Sequence, residues 1–246
     1  MFYIKMADLV IQIHNRYTYV KRLCKDYIVS DCDAYDLSVV VSQEEIAAEK
    51  ALAQAEVSDG YAEGICIYRT VCKQLPTKFQ SYLMHCAVIE YGGWGYAFAA
   101  KSGTGKSTHI SLWQKRFGES VRIVNGDKPI LRFMEDGRLY AYGTPWCGKE
   151  GLNTNTSVPL KAICFLERSE SNHIRKIAID EAIMRIFHQL LTPEDIQTVD
   201  SLFPLLDRTL REIPCYVLGC NISEEAAEVA YFGMNDSNEK NGGEET

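Results

Sequence analysis

A glycine-rich stretch in the middle of the chain has the residue types that bind nucleotide phosphates. It reads Phe98-Ala-Ala-Lys-Ser-Gly-Thr-Gly-Lys-Ser-Thr108, so a glycine stands directly before a Lys-Ser pair, as in phosphate-binding loops. Glycines allow backbone N–H groups to turn toward phosphate oxygens, because no Cβ obstructs them. The stretch predicts nucleotide binding by Ser102, Gly103, Thr104, Gly105, Lys106, Ser107 and Thr108.

The segments on both sides of this loop agree with that interpretation. Residues 95–100 predict a buried strand, and residues 108–117 carry apolar side chains at roughly helical spacing. Lys106 can then reach the terminal phosphates of a nucleotide, and the Ser107 hydroxyl can ligate Mg²⁺. Ala100 stands where the general pattern has its first glycine. The alternative is a glycine-rich turn before a core helix, but strand, Lys-Ser pair and helix together favour phosphate binding.

A nucleotide-bound metal needs a further protein ligand, usually a carboxylate at the end of a neighbouring strand. Asp127 follows the apolar run 121–124 within the sequence Asn-Gly-Asp-Lys-Pro. We therefore predict that Ser107 and Asp127 hold a Mg²⁺ ion. A plain polar turn is the alternative for Asp127.

Two further residues are candidates for catalysis. His85 can take a proton, because an imidazole titrates near neutral pH. Its alternative is a strand-end histidine that is bonded to the backbone. Lys149 lies in the glycine-rich segment 143–151, where a cation can neutralise a transferred phosphoryl group. Its alternative is a solvated lysine in a tight turn.

Five more polar or aromatic residues have both functional and structural interpretations. Trp146 can stack on a base or an acceptor, and Arg168 can clamp a phosphate or form a surface ion pair. Asn153 and Asn155 can hydrogen-bond an acceptor, although asparagines in loops commonly form turns. His109, just inside the predicted helix, is expected to be structural.

Composition restricts the classes of partner. The chain has 246 residues, of which 46% are hydrophobic and 24% charged, with a net charge of −7. This balance argues against non-specific nucleic-acid binding, which depends on clustered Lys and Arg. No apolar run approaches the ~20 residues of a membrane span, and residues 1–6 do not resemble the start of a secretion signal. The nine cysteines form no Cys-x-x-Cys pair, which favours reduced thiols. We expect a cytoplasmic protein with neither nucleic acid nor membrane as a partner.

The first 80 residues are predicted to form an α+β portion packed on the rest. Residues 1–42 predict short strands and turns. A helix begins after Ser42, which can form a capping box with Glu45. A second helix, over 62–75, is predicted to end at Pro76.

Residues 81–233 are predicted to form the core. Residues 235–246 contain no apolar side chain, and the tail 234–246 is predicted to be disordered. The pattern within the core predicts strands over 83–90, 95–100, 121–124, 130–134, 138–142, 159–166 and 215–218, and helices over 108–117, 180–190, 193–211 and 222–233.

The loop resembles that of a known superfamily. Ser102-Gly-Thr-Gly-Lys-Ser107 is similar to the loop of ATP-dependent phosphoenolpyruvate carboxykinase and of HPr kinase/phosphorylase. His85 begins a strand like the His-Gly-Val run of HPr kinase, and 123–131 resembles its strand with tandem aspartates. The resemblance covers about 82–168. It implies an α/β fold with a P-loop kinase core of this type, in which a mixed sheet has a β-hairpin leading into the phosphate loop, with an N-terminal α+β extension.

The resemblance also implies an activity, namely ATP- and Mg²⁺-dependent phosphoryl transfer to a hydroxyl of a peptide, protein or small metabolite. Gly126 replaces the first of the family's two adjacent aspartates, the expected base. His85 is a candidate substitute, and a nucleotide-binding regulatory pseudokinase is the alternative. The predicted catalytic residues are Lys106, Asp127, His85 and Lys149.

Several properties stay open at this point. The glycine-rich signature of HPr kinases is missing and the chain is short for a carboxykinase, so neither HPr nor oxaloacetate is supported as a substrate. The phosphoryl donor is ATP, GTP or pyrophosphate. The oligomeric state is also open, with a homo-oligomer as one alternative because related kinases form rings.

Overall fold

The computed structural model describes residues 1–30, 32–53, 55–101, 103–191 and 195–235. Within these ranges the chain has a mixed α/β architecture with two mixed sheets. Ser102 and most of the tail predicted to be disordered, residues 236–246, lie outside the described residues. No helix among the described residues is long and apolar enough to cross a membrane.

The N-terminal part is a four-stranded sheet with helices packed against it. Its elements are β1 (Phe2–Met6), β2 (Leu9–His14), α1 (Thr18–Leu23), β3 (Ile28–Val29), β4 (Leu37–Val40), α2 (Gln43–Leu52) and α3 (Asp59–Phe79). The strand order is β3-β1-β2-β4, and only β2 and β4 are parallel neighbours. The predicted capping box is confirmed, because Ser42 and Glu45 each bond the other's backbone N–H at the start of α2.

Helix α3 is longer than predicted. We expected it to end at Pro76, but its last residue is Phe79. Its C-cap is Gln80, whose φ is 48°. A proline removes one helix hydrogen bond and commonly breaks a helix interior. Here Pro76 lies in the last turn, where little helix follows. The buried Val71 and Leu75 anchor this end of α3 in the N-terminal core.

The rest of the described chain forms a nine-stranded mixed sheet with four helices. Its elements are β5 (Ser81–Leu83), β6 (Cys86–Tyr91), β7 (Trp94–Ala99), α4 (Lys106–Phe117), β8 (Arg122–Asn125), β9 (Ile130–Phe133), β10 (Leu139–Tyr142), β11 (Ser157–Arg168), β12 (His173–Lys176), α5 (Ile179–Phe187), α6 (Ile196–Glu212), β13 (Cys215–Cys220) and α7 (Glu225–Asn235). The strand order is β5-β9-β10-β11-β7-β6-β8, and β13 pairs with both β11 and β12.

Helices cover both faces of this sheet. Along β7, Ala97 and Ala99 pack in the cluster that contains residues of α5 and α6. Tyr96 and Phe98 pack in a second cluster with residues of α4 and α7. Successive side chains of a strand point to opposite faces, so β7 is buried on both sides and holds the loop that follows it on a rigid support.

The strands around the loop differ in one respect from the prediction. The strand expected over 83–90 is interrupted at Met84 and His85, because both residues pair with the chain after α5. Met84 forms a bridge with Leu190, and the His85 N–H donates to the Gln189 carbonyl oxygen at 2.7 Å. The hairpin between β6 and β7 is confirmed.

The N-terminal part contacts the core through packing and hydrogen bonds. Its apolar cluster includes Ile130 and Tyr142 from β9 and β10. Asn153 donates to the hydroxyl of Tyr27 at 3.1 Å, and Asn155 donates to the Asp26 carbonyl oxygen at 3.2 Å. The division of the chain at residue 80 stays a prediction.

Candidate functional site

The predicted site lies at one edge of the nine-stranded sheet. β7 is parallel to β11, and β6 is antiparallel to both β7 and β8. Consequently β7, β8 and β11 all end at this edge, and β6 begins there. The segments that the strands bring to this edge are the described residues of the loop 101–105, residues 125–127, Arg168 and His85.

The loop between β7 and α4 has the backbone conformation that its glycines allow. The φ angle is 76° at Gly103 and 123° at Gly105, a region that other residues rarely adopt. Gly105 is the N-cap of α4, and no side chain among the described residues caps this helix. The N–H groups of the first turn, with their partial positive charge, are therefore left for a ligand. An anion fits such a helix start.

Three of the predicted catalytic side chains meet beside the loop. Nε2 of His85 lies 3.1 Å from Nζ of Lys106 and 2.8 Å from Oδ1 of Asp127. We call these three residues the Lys-His-Asp cluster. Lys128 adds an ion pair to the other carboxylate oxygen of Asp127.

The charges of the cluster are set by opposing effects. Burial raises the pKa of the Asp127 carboxyl, but hydrogen bonds from His85 and Lys128 outweigh it and bring the pKa to about 2. Asp127 is therefore ionised at neutral pH, as a metal ligand must be. Burial lowers the pKa of Lys106, and the charge of Asp127 opposes this shift. One ring nitrogen cannot accept from an ammonium and donate to a carboxylate at once, so Lys106 and Asp127 compete for Nε2 of His85.

Asn125, a site residue that the motif patterns do not indicate, holds Asp127 in place. Asn125 is fully buried. Its Oδ1 accepts from the N–H of Asp127 at 2.8 Å and from that of Lys128 at 2.7 Å. Its Nδ2 donates to the Thr144 carbonyl oxygen at 3.0 Å. A side chain that bonds the backbone two residues on is an Asx turn, for which the Asn-Gly-Asp pattern was a signal.

Gly126 is packed too closely for a side chain to be added freely. A Cβ at this position would lie 3.2 Å from the Leu152 carbonyl oxygen and 3.3 Å from that of Cys147. The Gly126 N–H donates to the same oxygen of Leu152 at 2.8 Å. The backbone that follows β10 thus crowds position 126. An aspartate at position 126 would require this backbone to move.

The glycine-rich segment 143–151 lies against the cluster. A Cβ on Gly148 would lie 3.2 Å from the Cβ of Asp127. Lys149 follows directly, and its side chain is exposed. Its contact with a phosphoryl group stays a prediction. Trp146 packs on Tyr68 of α3 with ring centroids 5.5 Å apart. The indole ring is thus engaged in packing within the protein.

Three other candidates have structural contacts that explain them. His109 is buried, and its Nε2 accepts from Nε1 of Trp113 at 3.1 Å. Burial lowers the pKa of His109 to about 3, so its ring is neutral. Asn153 and Asn155 join the core to the N-terminal part, as described above. These contacts favour the structural interpretation of each residue.

Two clefts flank the loop. One, of about 390 Å³, lies between α4 and the ends of β11 and β13, and its lining includes Leu112, Leu166, Ser169, Asn221 and Ile222. The other, of about 560 Å³, has a charged lining that includes Lys101, Arg168 and the ion pair of Arg185 with Glu167. Arg168 contacts the loop itself, because it donates to the Gly103 carbonyl oxygen at 2.7 Å.

The donor set fits a metal ion that arrives with phosphates. Among the described residues, no group of three or more His, Cys, Asp or Glu forms a preassembled metal site. Mg²⁺ is commonly bound through one or two protein oxygens, with phosphates and water as its other ligands. The ionised Asp127 and the partly exposed Ser107 are the oxygen groups that such binding would use, and this role stays a prediction.

Fold and site together define a mixed α/β protein with a glycine loop that suits an anion. No family model matches the chain, and no curated protein does. Among solved structures, the chain is similar to the HPr(Ser) kinase/phosphatase from Coxiella burnetii, with a TM-score of 0.35 and 11% sequence identity. The similarity covers 61% of this chain and 93% of that one. A likeness at this level defines neither a family nor an activity.

Proposed function

We propose that this protein is an ATP- and Mg²⁺-dependent kinase that phosphorylates a hydroxyl of a peptide, protein or small metabolite. The observation that carries the proposal is the Lys-His-Asp cluster beside a loop with an uncapped helix start. A cation, a proton acceptor and a metal-binding carboxylate are the groups that phosphoryl transfer uses. We assign the core to the P-loop kinase type of HPr kinase and ATP-dependent phosphoenolpyruvate carboxykinase.

In the proposed transfer, the N–H groups of the loop and Lys106 bind the β- and γ-phosphates. Ser107 and Asp127 would hold Mg²⁺, which supplies positive charge to the transferring group. Lys149 is proposed to approach the same group from the segment 143–151.

The proposed reaction needs a base for the acceptor hydroxyl. When Lys106 turns to the phosphates and Asp127 turns to the metal, Nε2 of His85 loses both partners. A ring that carries its proton on Nδ1 can then accept the hydroxyl proton at Nε2. The acceptor oxygen then bonds to the γ-phosphorus, and the bond from that phosphorus to the β–γ bridging oxygen breaks with its electrons left on ADP. Base assistance typically contributes ~10²–10⁴-fold to such a rate.

The two clefts suggest where the reactants bind. The cleft lined by Leu112, Leu166 and Ile222 suits a nucleoside, because ligand sites combine apolar walls with a few polar groups. GTP and pyrophosphate are the alternative donors. We expect the protein to act in the cytoplasm, with a homo-oligomer as one alternative for its assembly.

The test is nucleotide binding and transfer by the full chain and by Lys106→Ala. Calorimetry with Mg²⁺ and ATP, GTP or pyrophosphate measures binding, and γ-³²P-ATP with a peptide and metabolite pool measures transfer. We expect Lys106→Ala to lower transfer by about 10²- to 10³-fold, because one preorganised charge on the transferring group is lost.

Lys115→Ala is the matched control, since Lys115 is an exposed lysine on the same helix. It should keep binding and transfer at the unmodified level. If the unmodified protein binds none of the three donors in the presence of Mg²⁺, the proposal is wrong.

A regulatory pseudokinase is the second candidate, and the packing at Gly126 favours it. A Cβ at position 126 would lie 3.2 Å from the Leu152 carbonyl oxygen, so the aspartate that the family uses as its base needs this backbone to move by a few tenths of an ångström. This candidate predicts tight nucleotide binding without labelled product in the same assay. Because a side chain at position 126 displaces backbone, His85→Gln separates the two candidates better than Gly126→Asp. Only a kinase has a transfer rate that this substitution can lower.

A further inference from the structure

Gln189 is a buried polar residue next to the predicted site. The residue is 6% exposed, and it follows α5 in the chain. The Gln189 carbonyl oxygen accepts from the N–H of His85 at 2.7 Å. This bond ties the backbone of His85 to the segment that follows α5. β6, which begins at the next residue, pairs instead with β7 and β8.

The carboxamide of Gln189 makes a second connection. Two carbonyl oxygens face one end of this amide, and only an NH₂ group can donate to both. With the nitrogen at that end, it donates to the His85 carbonyl oxygen at 3.0 Å and to the Ala100 carbonyl oxygen at 3.3 Å. His85 therefore bonds Gln189 through both its N–H and its carbonyl.

These contacts join the two segments whose separation matters for the proposed transfer. His85 carries the imidazole of the Lys-His-Asp cluster, and Ala100 is the last residue before the glycine loop. The side chain of Gln189 spans them at the strand ends, where Cys86 pairs with Ala99. A glutamine has the length and the two donors for this task.

We infer that Gln189 is a positioning residue that sets the place of the His85 imidazole relative to the phosphate loop. It acts through backbone atoms and does not touch the reacting groups. The kinetic consequence of this inference rests on the proposed phosphoryl transfer. The geometric consequence, a fixed His85 ring, does not depend on it.

Gln189→Met is the informative substitution. Methionine has a similar length and no donor, so the His85 and Ala100 carbonyl oxygens lose their shared partner. We expect Mg²⁺-ATP affinity to stay within about threefold, because Lys106 and the loop N–H groups are kept. Transfer should fall by about 10²-fold, the cost of a displacement near 1 Å between reacting groups.

Thr209→Val is the matched control. Thr209 is a fully buried polar residue of α6, and its hydroxyl lies 2.8 Å from that of Tyr82. The substitution removes buried hydrogen bonds elsewhere in the fold. It should lower stability without changing transfer, which separates positioning from general destabilisation.

A second measurement reads His85 directly and needs no nucleotide. The ¹⁵N spectrum of histidine-labelled protein contains five imidazoles, and comparison with His85→Gln assigns the ring of His85. We expect Gln189→Met to shift the His85 ring resonances and Thr209→Val to leave them unchanged.

The outcomes distinguish this inference from the proposed function. If the unmodified protein binds no nucleotide but the His85 resonances shift only in Gln189→Met, the proposed function fails and the positioning role stands. If nucleotide is bound and transferred at the unmodified rate by Gln189→Met, the positioning role is wrong. Unchanged His85 resonances in that variant also overturn it.

Discussion

At the scale of single residues, the site is organised around one nitrogen between opposite charges. Nε2 of His85 contacts both Lys106 and Asp127, and it can satisfy only one of them at a time. A ligand that takes Lys106, or a metal that takes Asp127, therefore changes the hydrogen bonding of the imidazole. The free protein holds the three groups against one another, so binding exchanges these contacts for contacts with phosphate and metal.

The carboxylate of the cluster leads to a prediction about metal dependence. Asp127→Asn keeps the shape of the side chain but removes its charge. We expect the gain in ATP affinity from Mg²⁺ to fall by at least about tenfold. Even the loss of a residue that only hydrogen-bonds a metal ligand commonly lowers metal affinity by that factor. Affinity in EDTA should hold or rise, because a negative charge near the phosphates is gone. Calorimetry with Mg²⁺ and with EDTA measures both quantities.

Asp136→Asn is the control for that measurement. Asp136 lies in the turn between β9 and β10, is exposed, and pairs with Arg138 at 2.7 Å. Its replacement should leave the Mg²⁺ dependence unchanged. Equal Mg²⁺ dependence in both variants would show that Asp127 is not a ligand of the metal.

Residue types and local spacing single out two members of the cluster, whose catalytic roles stay predictions. Lys106 follows from the loop pattern, and Asp127 from its place after an apolar run. The contacts of Gln189 with His85 were not predictable, because they join segments far apart in the chain. The close packing at Gly126 was not predictable either, since Leu152 approaches it only through the fold.

At the scale of elements, close backbone crossings fix the segments that surround the site. Gly143 directly follows β10, and its N–H donates to the Thr156 carbonyl oxygen at 3.0 Å. A Cβ here would lie 1.9 Å from the Thr154 carbonyl oxygen and 2.7 Å from that of Val124. Both contacts are with backbone, which cannot rotate away. The end of β8, and with it Asp127, depends on this crossing.

Two glycine substitutions are expected to have opposite effects on stability. Gly143→Ala should lower the free energy of unfolding by about 3 kcal/mol, the upper part of the range for overpacking. Gly64→Ala, within α3, places its Cβ 3.5 Å from the nearest atom of Tyr19, an ordinary contact. It should raise stability by about 0.5–1 kcal/mol, because alanine favours a helix interior. Urea unfolding measures the free energy of unfolding of both variants. Equal destabilisation by the two substitutions would contradict the close backbone crossing at Gly143.

Element boundaries were predictable where one local signal decided them. Ser42 and Glu45 marked the start of α2. Pro76 was a wrong signal, because packing of α3 outweighed the missing hydrogen bond. The short β12 was not predicted. Its residues are mostly exposed, and its only strand partner among the described residues is β13.

At the scale of the whole molecule, burial decides the chemistry of the cysteines. All nine are free thiols, of which seven are buried, and Cys32 and Cys220 are partly exposed. Burial raises the pKa of Cys24, Cys86 and Cys215 to about 12. A raised pKa leaves little thiolate at neutral pH, and the thiolate is the reactive form. Burial raises the pKa of Cys220 as well, but this residue and Cys32 are partly exposed. Reaction with a thiol reagent is therefore expected first at these two positions.

The reactivity of Cys220 tests where the proposed nucleotide binds. It ends β13 and lines the cleft beside the loop together with Leu112 and Leu166. Cys32 lies in the N-terminal part, after β3. If the cleft holds the nucleoside, Mg²⁺-ATP at ten times its Kd should slow the modification of Cys220 about tenfold by mass action. The modification of Cys32 should not change, so it serves as an internal control.

Cys32→Ser and Cys220→Ser assign the two reactions, and mass spectrometry follows each site over time at pH 7.5. Slowing of both sites to the same degree would indicate a general tightening of the structure. A third outcome is that calorimetry shows ATP binding but neither site is slowed. The nucleoside would then lie away from Leu112, and the cleft lined by Lys101, Arg168 and Arg185 would be the next candidate. Pyrophosphate, which has no base to fill the apolar cleft, should leave Cys220 reactive while it occupies the loop. The difference between ATP and pyrophosphate thus measures the contribution of the cleft alone.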